Sequence, residues 1–319
     1  MHRFKPGFCQ DLVNMTQTLT TFLRREQQAF LQRDRGEWAD HLIRTRGFLG
    51  EGFRAAPKDF PVLVLGAGSG LEVPWAVAPE GTTGWDADPW SRARTLLRHR
   101  HWGPWVFEDA TGAFEELQAL LVRALGHPWS GRRRDPEAAV LRIAGLLPSL
   151  HPKPLAVKEW IQRNGPRTIL AANFMGQIGI VAHRLVDAAF APWSPWEDDP
   201  EQRDPLEEAL DAWVAKTLRA FLAELRISGA DLWLVHDRGI IHGSGSVDLG
   251  PPTDPWTAQI PNAPALELSD PLCGVDLRQE LRVERLERWL WPVAPGQVHV
   301  MEAVFSPGNP LSRHVTRLP

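Results

Sequence analysis

Three glycines at alternate positions give the strongest chemical signal in the sequence. The segment from Pro61 to Pro89 reads PVLVLGAGSGLEVPWAVAPEGTTGWDADP, and Gly66, Gly68 and Gly70 follow its apolar run. Glycine permits a tight turn and lets a ligand approach the backbone closely. Because a buried strand that leads into such a turn is typical of nucleotide-binding loops, the segment predicts a nucleotide site.

The spacing of this loop disfavours two common nucleotide-binding motifs. The dinucleotide fingerprint GxGxxG would need a glycine at position 71, where the chain has Leu71, and the lysine of a P-loop is absent. A nicotinamide cofactor is therefore disfavoured. A short-chain dehydrogenase would also need a tyrosine acid, and the chain contains no tyrosine.

Further polar side chains follow short apolar segments later in the chain. Asp86, Asn173 and His236 each stand just after such a segment. Ligands of open α/β sheets bind outside the carboxyl ends of the strands, so these residues are expected near the glycine loop. His236 is the candidate general base, because histidine titrates near neutral pH, and His242 is a second candidate. A hydrogen-bonded structural histidine is the alternative, and Asn173 is expected to orient an acceptor.

The elements that position these residues predict an α/β protein. From Pro61 onward, short apolar strands alternate with helical segments, which implies a mostly parallel sheet with helices on both faces. Near the end, two apolar segments flank Ala294-Pro295-Gly296-Gln297 and predict an antiparallel hairpin. The predicted strands are 62–65, 82–85, 105–107, 168–172, 232–235, 289–293 and 298–305, and the main predicted helices are 37–53, 71–78, 90–98 and 205–225.

The loop spacing GxGxG after a first strand resembles motif I of the class I S-adenosylmethionine-dependent methyltransferases. That family has a seven-stranded, mostly parallel sheet whose last strand is antiparallel, and the predicted hairpin agrees with that ending. The resemblance implies a doubly wound α/β fold with this sheet, a C-terminal antiparallel hairpin and an N-terminal helical cap. The expected division is a cap over 1–58, a Rossmann-like methyltransferase domain over 59–305 with insertions near 192–204 and 239–270, and a tail over 306–319.

The resemblance also implies which residues hold the cofactor, S-adenosyl-L-methionine. The loop residues Gly66, Ala67, Gly68 and Gly70 would lie against it. Asp86 matches the acid at the end of strand two that accepts hydrogen bonds from the ribose hydroxyls.

Three more acids are candidates at this site. Asp109 matches the acidic position that meets the adenine amino group. Asp88 is the lesser ribose candidate and is also a good helix-start signal. Many family members carry an acid two residues before the first glycine, where this chain has Val64. Glu72 is expected to take part of that role at the methionine ammonium, or else to be a first-turn acid that favours the helix dipole.

Composition and charge indicate which classes of partner and which cellular compartment to expect for the protein. The net charge of −4 and the sequence pI near 6.3 disfavour a general polyanion binder. Two distant cysteines, no signal-peptide pattern at the N-terminus and no bilayer-length apolar run predict a cytoplasmic protein that does not enter a membrane. His99 and His101 have no carboxylate or cysteine set around them, so no metal site is predicted.

The expected function is S-adenosylmethionine-dependent methyl transfer to a small-molecule acceptor beneath the helical cap. One alternative is an RNA or protein methyltransferase that uses the basic 123–167 face, and a nucleic acid is the less favoured partner. Another is a non-catalytic protein that retains the methyltransferase fold. The segment Asn173–Gln177 lacks the Asn/Asp-Pro-Pro-aromatic tetrad of base-amino methyltransferases. Oligomeric state stays open, with a homodimer among the alternatives.

Overall fold

An open β-sheet with helices on both faces forms the centre of the protein. The structure, a computed structural model, describes residues 38–68, 70–100, 103–125, 136–191, 200–242, 267–294 and 297–309. The helices in those ranges are α1 (Ala39–Ala55), α2 (Trp90–His99), α3 (Phe114–Leu125), α4 (Pro136–Leu146), α5 (Leu155–Asn164), α6 (Phe174–Phe190), α7 (Pro200–Ile227) and α8 (Leu277–Glu280). The strands are β1 (Val62–Leu65), β2 (Thr83–Trp85), β3 (Trp105–Val106), β4 (Thr168–Ala172), β5 (Asp231–His242), β6 (Glu267–Ser269), β7 (Arg285–Ala294) and β8 (Gln297–Ser306). The predicted mixed α/β class is confirmed.

Five strands of the sheet are parallel and lie in the order β3-β2-β1-β4-β5. The central strands β1 and β4 are buried along their whole length. Their sequences, VLVL and TILAA, carry no charged side chain, as a strand covered on both faces requires. The chain runs outward from β1 through β2 to β3 and then returns to β4 on the other side of β1. The strand order therefore reverses between β1 and β4, which is where open α/β sheets form a ligand crevice.

The C-terminal hairpin is also confirmed. Strands β7 and β8 are antiparallel to each other, and β8 is antiparallel to β5. Because β8 pairs with β5 from Leu232 to His242, it supports the part of β5 that extends beyond β4. The short strand β6 pairs with the end of β5 as well.

Alternate residues of the central strands belong to two separate cores. Leu63 and Leu65 pack into a core with α3 to α7, whereas Val62 and Val64 pack with α1 on the opposite face. This period of two follows from the pleat of a strand. The core under α1 is rich in large aromatic side chains: Trp38, Phe48, Phe53, Trp75, Trp233, Trp289 and Trp291. This core holds five of the chain's fifteen tryptophans, so packing explains part of the high tryptophan content.

The helix predicted over 71–78 does not form. Only a 3₁₀ turn, Trp75–Val77, occurs there, and residues 70–73 bend. Proline disfavours the α conformation for the residue before it, so Pro74 stops a helix at Val73. Val73 and Trp75 are buried in the core under α1, which fixes the segment without regular structure.

Strand β5 is much longer than the predicted 232–235. It continues to His242, so His236, Asp237 and Arg238 lie inside the strand rather than in a loop after it. The extension exists because β8 pairs with it, including His236 with Glu302. A charged and polar run is a poor strand signal by itself, and the partner strand lies more than 50 residues further along the sequence.

The remaining predictions fall partly on the described residues and partly outside them. Helix α1 confirms the predicted helix at 37–53, and α7 contains the predicted 205–225. The earlier part of the predicted cap, residues 1–37, lies outside the described residues, as do residues 192–199 and 243–266 of the two predicted insertions. In the part of the chain that the structure describes, no helix has the length and apolar character needed to cross a bilayer.

Candidate functional site

A cleft opens at the carboxyl ends of β1 to β4, around the point where the strand order reverses. It contains about 1080 Å³ of space, part of which is open solvent. Residues that follow four different strands line it: Gly66, Gly68, Asp86, Asp88, Glu108, Asp109 and Asn173. The structure therefore brings most of the predicted site residues together in one cleft. Ala67 and Gly70 belong to the same loop but are buried behind the cleft wall.

The glycine loop has the backbone conformation that only glycine adopts readily. Gly66, Gly68 and Gly70 have φ of 63°, 54° and 72°. A Cβ on Gly66 would lie 2.9 Å from the Cβ of Phe174, so the glycine also allows α6 to approach the loop. Because residues 71–73 bend, the loop does not lead into an α-helix, and the expected helix amino terminus is absent from this side of the cleft.

Helix α2 holds the end of the glycine loop. Nε2 of His99 lies 2.8 Å from the carbonyl oxygen of Gly70, and a Cβ on Gly70 would lie 2.7 Å from Oγ1 of Thr95. Burial lowers the pKa of His99, so the neutral imidazole donates its Nε2 hydrogen to that carbonyl. His99 is thus a half-buried structural residue of the loop.

Asp86 is fixed at the end of β2 by two backbone hydrogen bonds. Its Oδ2 accepts from the N–H of Gly68 at 2.6 Å, and its Oδ1 accepts from the N–H of Asp88 at 2.8 Å. Burial raises the pKa of Asp86 to about 6, against the lowering effect of these two bonds. A carboxylate has about four acceptor positions, so about two remain for hydroxyl groups of a ligand in the cleft.

Asp88 has a structural role, as its helix-start pattern predicted. Its Oδ1 accepts from the N–H of Trp90 at 3.0 Å, at the beginning of α2. Its Oδ2 pairs with the guanidinium of Arg94, and the side chain is almost fully buried. Because Asp88 is ion-paired and almost fully buried whereas Asp86 is only partly buried, Asp86 is the better placed of the two to accept from a ligand.

Asp109 lines the cleft, but its own loop occupies its oxygens. Oδ1 accepts from the N–H and the hydroxyl of Thr111, at 2.9 and 2.6 Å. Oδ2 accepts from the N–H groups of Ala113 and Phe114, both at 2.9 Å, and so caps α3. These four bonds use the acceptor positions of a carboxylate, so the role predicted for Asp109 at an adenine amino group is not supported. Glu108, its neighbour, is exposed and also lines the cleft.

Asn173 begins α6 in a strained conformation. Its φ of 51° and ψ of 31° are left-handed, and its side chain does not cap the helix. The residue is 4% exposed and lines the cleft, yet its Oδ1 has no hydrogen-bond partner. A buried acceptor without a partner costs about 1–3 kcal/mol. The left-handed backbone also costs energy, and such backbone strain is found mainly at functional sites. A donor group of a ligand would satisfy this oxygen.

Glu72 lines the cleft and is paired with a buried histidine of α1. Its Oε1 lies 2.9 Å from Nε2 of His41, and Nε1 of Trp289 donates to Nδ1 of His41 at 3.2 Å. Because Nδ1 of His41 accepts from the indole N–H, the imidazole hydrogen is on Nε2, which donates it to Glu72. The imidazole also stacks on Trp291, with ring centroids 3.8 Å apart. Sequence reasoning missed His41, because in the sequence it is only a polar residue in a predicted helix.

Gln177 on α6 connects the cleft with a buried pair formed between β5 and β8. Its Nε2 lies 3.4 Å from Oδ2 of Asp237, whose Oδ1 lies 2.7 Å from Nδ1 of His299. Asp237 is fully buried, and a Cβ on Gly176 would lie 2.7 Å from its Cβ. This close approach of α6 to β5 was not predictable without knowledge of the strand extension.

His236, the predicted general base, is not in the cleft. It is fully buried inside β5, and its Nε2 lies 3.5 Å from Oε1 of Glu302. Burial acts to raise the pKa of Glu302, but His236 and Arg288 outweigh it and hold that pKa below its usual value. The predicted position of His236, beside an acceptor in the cleft, is therefore wrong. His242 at the end of β5 does not line the cleft either.

The basic segment expected to bind RNA is described only in part. Residues 126–135, which include Arg132, Arg133 and Arg134, lie outside the described residues. Within the described part, Lys158 pairs with Glu224 of α7 at 3.2 Å.

Comparisons with known proteins add no relative to this description. Protein-family models, curated proteins and solved structures gave no match to the chain. The function must therefore be argued from the fold and the cleft.

Proposed function

We propose that the protein is an S-adenosylmethionine-dependent methyltransferase of the class I, Rossmann-like type, and that it acts on a small-molecule acceptor. The observation that carries the proposal is Asp86, held at the end of β2 by the N–H of Gly68 and facing a cleft at the reversal of strand order. Adjacent ribose hydroxyls are donors that fit the acceptor positions left on such a carboxylate.

The sheet supports the proposal. The path β3-β2-β1-β4-β5-β8-β7 has seven strands, with the short β6 beside it. Only β8, the last of the described strands, runs against the others on this path. This agrees with the seven-stranded sheet of the family that the loop resembles.

The cleft residues fit an adenosyl group with a charged amino acid end. Glu108 is the exposed acceptor available for an adenine amino group, in place of Asp109. Glu72 would meet the methionine ammonium, while His41 holds its carboxylate in place. Val64 faces the core under α1, so the usual family acid could not act from that position here.

The chemistry of the cleft favours positioning over proton transfer. The sulfonium carries the transferable methyl group. Among the described residues, the titratable side chains that line the cleft are carboxylates and Arg184. Methyl transfer to a good nucleophile needs mainly orientation and exclusion of water, which Asn173 and the apolar wall at Phe174 and Ile178 would provide.

Calorimetric titration of the full chain with S-adenosylmethionine, S-adenosylhomocysteine and NAD tests the proposal. The first two should bind at one site and NAD should not. Binding of NAD alone would overturn the assignment. Binding of none of the three would instead favour a protein that keeps the fold without the activity.

A further inference from the structure

A second group of polar side chains lies away from the cleft, where three elements meet. His183 belongs to α6, Asp211 belongs to α7, and Cys273 lies in the turn between β6 and α8. None of them lines the cleft. His183 and Asp211 are 37% and 53% exposed, and Cys273 is half-buried, so the group is open to solvent on one side.

The three side chains converge on one carboxylate oxygen. Nε2 of His183 lies 2.8 Å from Oδ1 of Asp211, and Sγ of Cys273 lies 3.2 Å from the same oxygen. One potential ligand atom from each residue lies within 4.8 Å of the other two. Burial raises the pKa of the Cys273 thiol, and the Asp211 carboxylate adds to this effect. Without a cation, the thiol therefore keeps its proton and donates it to Asp211.

The backbone holds Cys273 at this position. Its φ of 49° is unusual for a residue other than glycine. The carboxylate of Asp270 accepts from the N–H groups of Leu272 and Gly274, at 3.0 and 2.9 Å, on either side of Cys273. The turn is thus a rigid support for the sulfur.

A glycine on α6 allows this turn to approach His183. A Cβ on Gly179 would lie 2.1 Å from the carbonyl oxygen of Pro271, so a larger residue would push the turn away from the helix. Gly179 and His183 are four residues apart and therefore share a face of α6. The approach that Gly179 permits is what places Cys273 beside the imidazole.

We propose that His183, Asp211 and Cys273 form a site for a divalent cation, with zinc as the preferred metal. Imidazole nitrogen, carboxylate oxygen and thiolate sulfur are the ligands that zinc takes in tetrahedral sites. The open side leaves the fourth position to water or to another ligand, as in zinc sites with three protein ligands.

To hold the cation, the three ligand atoms, which now lie within 4.8 Å of one another, would have to move to tetrahedral separations. Zinc bonds of about 2.0–2.3 Å place tetrahedral ligand atoms roughly 3.3–3.6 Å apart. The two contacts to Asp211 would lengthen by a few tenths of an ångström, which an exposed carboxylate can provide by rotation. Binding would also release the thiol proton to solvent.

Cobalt titration of the chelator-treated full chain tests the site, because a cobalt–thiolate bond gives a charge-transfer band in the near ultraviolet. One equivalent of cobalt should produce the band, and zinc should abolish it by displacement. Cys273→Ser should remove the band, whereas Cys9→Ser, at the only other cysteine, should leave it unchanged.

A second comparison separates ligation from general charge. Asp211→Asn should weaken zinc binding by at least the roughly 10–100-fold that a change in an outer-shell partner costs. Asp204→Asn, at another exposed aspartate of α7, should not. Absence of the band, or its persistence in Cys273→Ser, would overturn the proposal. Neither result depends on S-adenosylmethionine, so this site and the proposed function can fail separately.

Discussion

The two sides of the cleft differ in how completely their polar groups are satisfied. On the side of β1 to β3, the carboxylates of Asp86, Asp88 and Asp109 accept hydrogen bonds from nearby backbone N–H groups. On the side of β4, Oδ1 of Asn173 is buried with no hydrogen-bond partner. The first side is therefore a rigid, prebuilt surface, and the second has a polar atom that a ligand would complete.

This difference assigns separate tasks to the two sides. A prebuilt surface costs little reorganisation when a ligand binds, which suits the cofactor. An unsatisfied group at the start of α6 suits the reacting end of the ligands, where contacts change during the reaction. The following predictions test this division, beginning with the largest expected effect.

Gly68→Val should abolish binding of S-adenosylmethionine while the protein stays folded. The branched side chain would enter the cleft, and φ at this position is 54°. Gly81→Val is the matched control, since Gly81 has φ of 80° but a Cβ there meets nothing within 4 Å. Calorimetry measures binding and circular dichroism measures folding. Retained binding in Gly68→Val would show that the loop is not the cofactor site.

Asp86→Ala should weaken cofactor binding about tenfold to a hundredfold, because a charge-assisted hydrogen bond contributes about 1.5–3 kcal/mol. Asp86→Asn should lose less, since one carbonyl acceptor remains. Asp88→Ala should leave affinity almost unchanged but lower the free energy of unfolding by more than the roughly 0.5–2 kcal/mol of a lost α2 cap, because the buried ion pair with Arg94 is lost as well. The reverse pattern, in which Asp88 controls affinity and Asp86 does not, would show that the ribose contacts Asp88 rather than Asp86.

Asn173→Gly should reduce affinity for S-adenosylhomocysteine or for the acceptor by roughly 2–13-fold, the value of one neutral hydrogen bond. Glycine suits the left-handed backbone, so the folded state should not lose stability from strain. Asn164→Gly, at the end of α5 and away from the cleft, is the control. If neither affinity changes, the β4 side has no ligand contact at Asn173.

Affinity for S-adenosylhomocysteine should rise a few-fold between about pH 5 and pH 7 and then level off. Burial raises the pKa of Asp86 to about 6 in the free protein, and ribose hydroxyls favour the ionised carboxylate. Ligand binding therefore lowers this pKa, which means that protons compete with the ligand below pH 6. The profile of Asp86→Asn should be flat over this range. A pH dependence that survives in Asp86→Asn would come from another group.

The sequence predicted the prebuilt side of the cleft better than the other side. Glycines 66, 68 and 70 and the aspartate after β2 act through local backbone geometry, which short spacing reveals. The distribution of hydrogen bonds around Asp109 was not predictable, because it depends on how the chain enters α3.

Other contacts of the molecule depend on pairing between distant segments. The extension of β5 buries His236 against Glu302, and only the position of β8 explains that extension. His41 reaches Glu72 through packing of α1 on the sheet, for which no local pattern exists. The mostly parallel sheet and the C-terminal hairpin, in contrast, followed from local patterns along the chain.

A crystal structure of the full chain with S-adenosylhomocysteine tests the central claim most directly. The account predicts the ligand in the cleft, with its ribose hydroxyls donating to the carboxylate of Asp86 and its adenine amino group near Glu108. A ligand bound elsewhere, or one whose ribose makes no contact with Asp86, would contradict it.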